Sequence, residues 1–105
     1  FWLAPVQVMM LPISERHTEI ALALESKLTA QNFRVKSDIR NEKVGAKIRR
    51  AQIHKIPYMI ITGDKEAQNN TLSVRNRFKG DLGSFSFENF LKLIQDLRDK
   101  KSMRP

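Results

Sequence analysis

The spacing of hydrophobic and polar positions changes several times along this chain, and each change marks an element. Val6, Val8 and Met10 alternate with Gln7 and Met9 before Pro12 closes the run, which predicts a strand over residues 6–11. Ser14 then stands where a helix cap belongs, with Glu15 favoured by the dipole of the first turn. Ile20, Leu24 and Leu28 recur at i, i+4 and i+8, the buried stripe of a helix reaching about Ala30. Phe33 and Val35 open a second, shorter strand that delivers the chain to Asp38-Ile39-Arg40-Asn41. A basic helix from about Lys43 to Lys55 follows, and Pro57 stops it.

Tyr58-Met59-Ile60-Ile61-Thr62 is almost continuously apolar, as in a central strand covered on both faces. Gly63-Asp64-Lys65-Glu66 reads as a turn, and Leu72 and Val74 alternate with Thr71, Ser73 and Arg75 in a further strand over 71–77. Ser86 is placed to cap the last helix. Phe85 before it and Phe90 within it are spaced as a hydrophobic staple, while Phe87, Leu91, Ile94 and Leu97 continue the core face. The tail from Lys100 to Pro105 is expected to fray. The order strand, helix, strand, helix, strand, strand, helix predicts an α/β layered domain with a mixed sheet.

Charge changes this picture at one place. Between Arg34 and Lys55 lie eight cations and two acids, so +6 of the chain's formal +8 is concentrated there. Lys43, Lys47, Arg50 and His54 follow spacings of four, three and four, which places them on one helix face, beside an apolar face of Val44, Ile48 and Ala51. A helix anchored by one face and cationic on the next suits a polyanion, RNA above all. A charged face is also commonly just a solvated face.

Composition narrows the function classes. At 105 residues the chain is long enough for one core and one domain, 1–105. The apolar run from Tyr58 to Ile61 is far short of the ~20 residues a membrane helix needs. With no cysteine there is no disulfide, thiolate metal site or thiol nucleophile. His17 and His54 are far apart and each reads as a helix-surface residue rather than a ligand or general base. Gly80 and Gly83 flank a turn and form no phosphate loop, and Ser14, Ser84 and Ser86 sit where caps belong. No catalytic constellation assembles.

Strand alternation puts Arg75 and Arg77 on one face, away from Leu72 and Val74, and their planar forks suit bases or phosphates. Glu66 is either a neutralising partner among cations or an acceptor for the donors on guanine's pairing edge. Asn41 is a turn residue or an amide that both donates to and accepts from a base. The opening Phe1-Trp2-Leu3, without Met, suggests a piece of a larger protein cut at a domain boundary.

Four segments carry a resemblance across essentially the whole chain. Trp2-Leu3-Ala4-Pro5-Val6-Gln7-Val8, Arg40-Asn41-Glu42-Lys43-Val44-Gly45-Ala46-Lys47-Ile48-Arg49, Pro57-Tyr58-Met59-Ile60-Ile61 with Gly63-Asp64-Lys65-Glu66, and Val74-Arg75-Asn76-Arg77 resemble the C-terminal anticodon-binding domain of threonyl-tRNA synthetases, in that family's order. Histidyl, glycyl and prolyl synthetases share this type of domain. The resemblance implies a three-layer α/β/α domain with a mixed, roughly five-stranded sheet flanked by three helices, so a short extra strand is expected near Lys79 to Gly83.

The same resemblance implies binding of the threonine tRNA anticodon loop as the C-terminal part of a longer, cytoplasmic ligase that dimerises through its catalytic domains. ATP, magnesium and zinc would belong to those other domains, and this chain would hold no cofactor, no metal and no catalytic residue. Threonine codons fix the second and third anticodon bases as guanine and uracil, and loop bases are splayed out and read on their pairing edges. Carried over by motif, Glu66 and Arg75 resemble guanine readers, Arg75 bridging to the uracil, and Asn41 resembles a contact on the uracil side. Lys43, Lys47 and Lys55 fall to phosphates or loop positioning, with Arg77 added to them. Phe78 and Lys79 depart from the Arg-rich run common after this motif. Two other readings are open: a non-catalytic accessory module for protein association, using Phe1, Trp2 and the last helix, and a small independent α/β enzyme.

Overall fold

Five strands form one mixed sheet: β1 (Val8–Pro12), β2 (Val35–Ser37), β3 (Tyr58–Thr62), β4 (Thr71–Asn76) and β5 (Gly80–Ser86). Their order is β2-β1-β3-β4-β5, parallel across the first three and antiparallel from β3 onward. A 3-10 turn, Glu15–His17, leads into α1 (Thr18–Ala30), and α2 (Val44–Ile53) and α3 (Phe87–Asp99) are the other two long helices; Asp64, expected in a turn, and Gln68 are also helical. The structure is a computed structural model and describes residues 5–40, 42–64, 68 and 71–99.

Alternation along the strands sorts the side chains into two cores. Val8, Met10, Tyr58, Ile60, Leu72 and Val74 turn to one face, where α1 adds Ala21, Leu24 and Leu28 and α3 adds Phe90 and Ile94. The Tyr58 and Phe90 rings meet edge to face there, 6.1 Å between centroids. Met9, Leu11, Met59 and Ile61 turn to the other face, against Val44, Ile48 and Ala51 of α2. The layers are therefore α1 with α3, the sheet, and α2. Because α2 packs on β1 and β3, the same face of β4 and β5 has no described helix over it.

Both helices that precede a parallel strand end in the same hydrogen-bonded motif. At α1, Phe33 N–H reaches Leu28 O at 3.2 Å and Asn32 N–H reaches Thr29 O at 2.9 Å. At α2, Ile56 N–H reaches Ala51 O and Lys55 N–H reaches Gln52 O, both at 3.1 Å. The pivots, Asn32 (φ 70°) and Lys55 (φ 61°), are left-handed, the conformation this cap requires. Phe33, expected to begin a strand, instead seals the end of α1 against Leu28 in the core, and β2 starts at Val35.

The extra strand expected near Lys79 to Gly83 is longer than anticipated and runs on to Ser86. Ser86 serves both elements: it closes β5, and its Oγ accepts from Asn89 N–H at 3.1 Å in the first turn of α3. Phe85 and Phe90 share the larger core, as the staple predicts. The opening Phe1, Trp2 and Leu3 and the tail from Lys100 lie outside the described residues.

Candidate nucleic-acid interface

After β1 the chain passes to α1 on one face of the sheet, and after the neighbouring β2 it passes to α2 on the other. Opposed departures leave a notch of about 10 Å³ at the carboxyl ends of the two strands, room for a water and not for a base. Ile13, Ser14 and Glu15 line it from the β1 side and Ile39, Arg40 and Glu42 from the β2 side. Asn41 belongs to the segment between β2 and α2, and Glu66 to the segment between β3 and β4. Each lies four positions beyond its strand, 37 to 41 and 62 to 66. Both residues are outside the described ones.

Arg75 occupies the half-buried face of β4 that α2 leaves uncovered, opposite Met59 of β3 and Asp81 of β5. A bulge sets that second pairing: Val74 faces Gly83 and Arg75 faces Asp81, so Leu82 is the extra residue. Gly83, at φ 94°, supplies the left-handed backbone there. Ser73 is opposite Ile61, so Arg75 stands two positions, roughly 7 Å, further from the carboxyl edge. Its Nε is buried and has no hydrogen-bond partner among the described residues.

Arg77 shares that face but is partly engaged. Its Nε donates to the Gln52 carbonyl at 3.4 Å, on the last turn of α2, and its guanidinium lies 4.9 Å from the centre of the Phe78 ring. Lys55 is exposed just past the same helix end, and Lys43 is exposed at its start. The ten residues of α2 separate them by ~15 Å. The expected residues therefore form a strip rather than a point: Lys43 at the carboxyl edge, Arg75 below it, Lys55 and Arg77 at the opposite end.

The basic face predicted for α2 is corrected by the structure. Lys47 is 3% exposed, and its ammonium donates to the Pro12 carbonyl at 2.9 Å, so it does not present a cation to solvent. Arg50 is held by Asp38 at 2.7 Å and by both oxygens of Glu42 at 2.6 and 2.8 Å. These two side chains brace the helix against the sheet edge. Between Lys36 and Lys55, the exposed cations with no ion pair to any described residue are Lys36, Arg40, Lys43, Arg49 and Lys55. Three of them, Lys36, Arg40 and Arg49, carried no individual role in the sequence reading, and only the local charge density pointed to them.

His17 is also corrected, from helix surface to interior at 4% exposed. Its Nδ1 lies 3.0 Å from Ser14 Oγ and its Nε2 lies 2.8 Å from Asp64 Oδ1, while Arg16 pairs with the other Asp64 oxygen. In the tautomer that carries its hydrogen on Nε2, that N–H donates to Asp64 and Nδ1 accepts from the Ser14 hydroxyl. The His17 hydrogen bond, helped by the Arg16 charge, holds the Asp64 carboxyl below its ordinary value despite some desolvation. His54, in contrast, is exposed as expected. Among the described residues no group of three or more His, Asp or Glu side chains could hold a metal, and no helix is long and apolar enough to cross a membrane.

Residues 7–97 match the family of anticodon binding domains. A threonine–tRNA ligase from Caldanaerobacter subterraneus subsp. tengcongensis is 50% identical over 100 residues, covering 94% of this chain and 16% of the relative. One from Clostridium kluyveri is 47% identical over 100 residues, covering 95% and 16%. The chain thus spans about a sixth of the length of these relatives. The RNA binding domain of threonyl-tRNA synthetase from Cryptosporidium parvum Iowa II superposes with a TM-score of 0.87 at 28% identity, over 91% of this chain and 24% of that one. A histidyl-tRNA synthetase from Nostoc sp. has the same fold, with a TM-score of 0.82 at 17% identity over 88% and 22% of the two chains.

Proposed function

The chain belongs to the anticodon-binding domain family, and from that premise we propose that it is the part of a threonine–tRNA ligase that holds the anticodon loop of threonine tRNA and reads its guanine and uracil. The observation that carries this reading is the position of Arg75, a guanidinium on an uncovered sheet face whose buried Nε lacks a described partner. The rest of that half-buried guanidinium carries paired planar N–H donors, which a base can meet in the plane of the fork. Glu66 and Asn41, in the segments after β3 and β2, complete the set. Glu66 accepts from guanine's amide and amino groups, Arg75 bridges acceptors on guanine and uracil, and Asn41 pairs on the uracil side.

Lys43, Lys55 and Arg77 reach phosphates at the two ends of the strip, which positions the loop without reading it. The threonine activation step, with its ATP, magnesium and zinc, belongs to the remainder of a longer, dimeric, cytoplasmic protein, and this chain alone transfers no threonine.

The test is a titration of the chain with a threonine anticodon stem-loop, beside one in which the second anticodon base is adenine, at two salt concentrations. Guanine preference that survives added salt is expected, and Arg75→Ala is expected to lose about 1–3 kcal/mol of it. Equal binding of the two loops that vanishes with salt would reduce the interface to a basic surface.

A further inference from the structure

The loops that leave β1 and β3 are tied together at the carboxyl edge of the sheet by one buried side chain. His17 sits in the 3-10 turn after β1, both of its ring nitrogens are bonded, and Asp64 is the second residue after β3. Sequence separation between the partners is 47 residues, so this is a tertiary clamp and not a local turn contact. Arg16 adds a second hold on the same carboxylate. The bridge runs from interior to surface: the His17 side chain is 5% exposed and that of Asp64 is 61% exposed.

We propose that His17 and Asp64 are positioning residues for guanine reading: the clamp fixes where the chain leaves β3, and so sets the reach of Glu66 two residues later. The inference rests on the proposed role of Glu66. A base contact made through two hydrogen bonds tolerates little displacement, since both donors of the base must meet the two carboxylate oxygens at once. Holding the takeoff point supplies part of that precision before RNA arrives, and it does so with groups that touch no base themselves.

Asp64 gives an unusually clear sign. Its removal deletes a negative charge from an RNA-binding edge, so electrostatics alone strengthens binding to every loop alike. Loss of positioning acts the other way, and on one base only. The experiment measures affinities of the chain for the guanine and adenine stem-loops with Glu66→Ala, Asp64→Ala, His17→Ala and His17→Gln, each checked for folding by thermal melting.

The expected result is a guanine preference reduced at least fivefold by Glu66→Ala, Asp64→Ala and His17→Ala, and restored in part by His17→Gln, whose amide can still donate to Asp64. In the Glu66→Ala background, Asp64→Ala is expected to change the preference no further. Should Glu66→Ala lose the preference while Asp64→Ala keeps it, the positioning role is overturned and the reading of guanine by Glu66 stands. An unchanged preference in Glu66→Ala would overturn both. If His17→Ala fails to fold, the exposed Asp64 variant still decides.

Discussion

Lys47 donates its ammonium to the carbonyl of Pro12 at 2.9 Å, and this bond finishes a sheet edge that the strands leave incomplete. The Met10 carbonyl, two residues earlier, points the same way and is taken by Asp38 N–H at 2.9 Å. The β2 strand ends at Ser37, so the Pro12 carbonyl has no strand partner on that side. A lysine from α2 substitutes for one. The most cationic helix of the chain is therefore docked by one of its own cations.

Lys47→Ala should accordingly behave as a stability variant. It leaves a buried carbonyl unpaired and is expected to cost about 1–3 kcal/mol in urea unfolding. Lys43→Ala, an exposed change, should leave stability within about 0.5 kcal/mol. It should lower the slope of log affinity against log salt by about 0.7–0.9 in stem-loop titrations. A matching fall in salt slope for Lys47→Ala would show that its ammonium reaches a phosphate after all.

Lys55 holds a left-handed backbone that glycine adopts without penalty. Lys55→Gly is expected to raise stability, by up to about 1 kcal/mol. The same change removes an exposed cation and should weaken binding of both the guanine and adenine loops by a similar factor. Stabilisation without any loss of RNA affinity would remove Lys55 from the phosphate contacts.

Ser86 ends β5 and caps α3 with a single hydroxyl. Ser86→Ala is predicted to cost about 1 kcal/mol, read from the denaturation midpoint. Ser86→Asp should keep the cap and place a negative charge at the favourable end of the helix dipole, leaving stability unchanged or raised. An alanine variant as stable as the parent would mean that the Phe85 and Phe90 contacts alone hold this corner.

The Asp64 carboxyl titrates below its ordinary value of 3.8 because His17 hydrogen-bonds its charged form. A group whose folded pKa is depressed contributes stability above its unfolded value and loses it as pH falls through the folded one. Parent and Asp64→Asn should therefore differ in stability above about pH 4 and converge below it. Urea midpoints measured across that range check this, and a constant gap at every pH would dissociate the bridge from Asp64 ionisation.

Much of the architecture was legible because it follows from local periodicity. The apolar run Tyr58 to Thr62 had to be covered on both faces, and β3 is the central strand. Leu24 and Leu28, or Phe90 and Ile94, are core because their spacing matches the helix turn. The short β2 and the bulge at Leu82 were less legible, since both depend on which strands lie alongside. Phe33 illustrates the limit. An aromatic beside Val35 reads as a strand, but its amide is needed to close α1.

For the site, sequence alone supplied residue types: a carboxylate at Glu66, an amide at Asn41, guanidinium forks at Arg75 and Arg77, and a dense run of cations. Those follow from composition and order, and no folding is needed to see them. What a cation does was decided by tertiary structure, because burial and the nearest acceptor are non-local. Lys47 and Lys43 are the same residue one helical turn apart, yet one completes the sheet and the other faces water. His17 likewise became an interior bridge only when β3 brought Asp64 to it across 47 residues. The chain determined the chemistry it carries, and the packing of α2 and the parallel strands determined which of that chemistry is left facing outward.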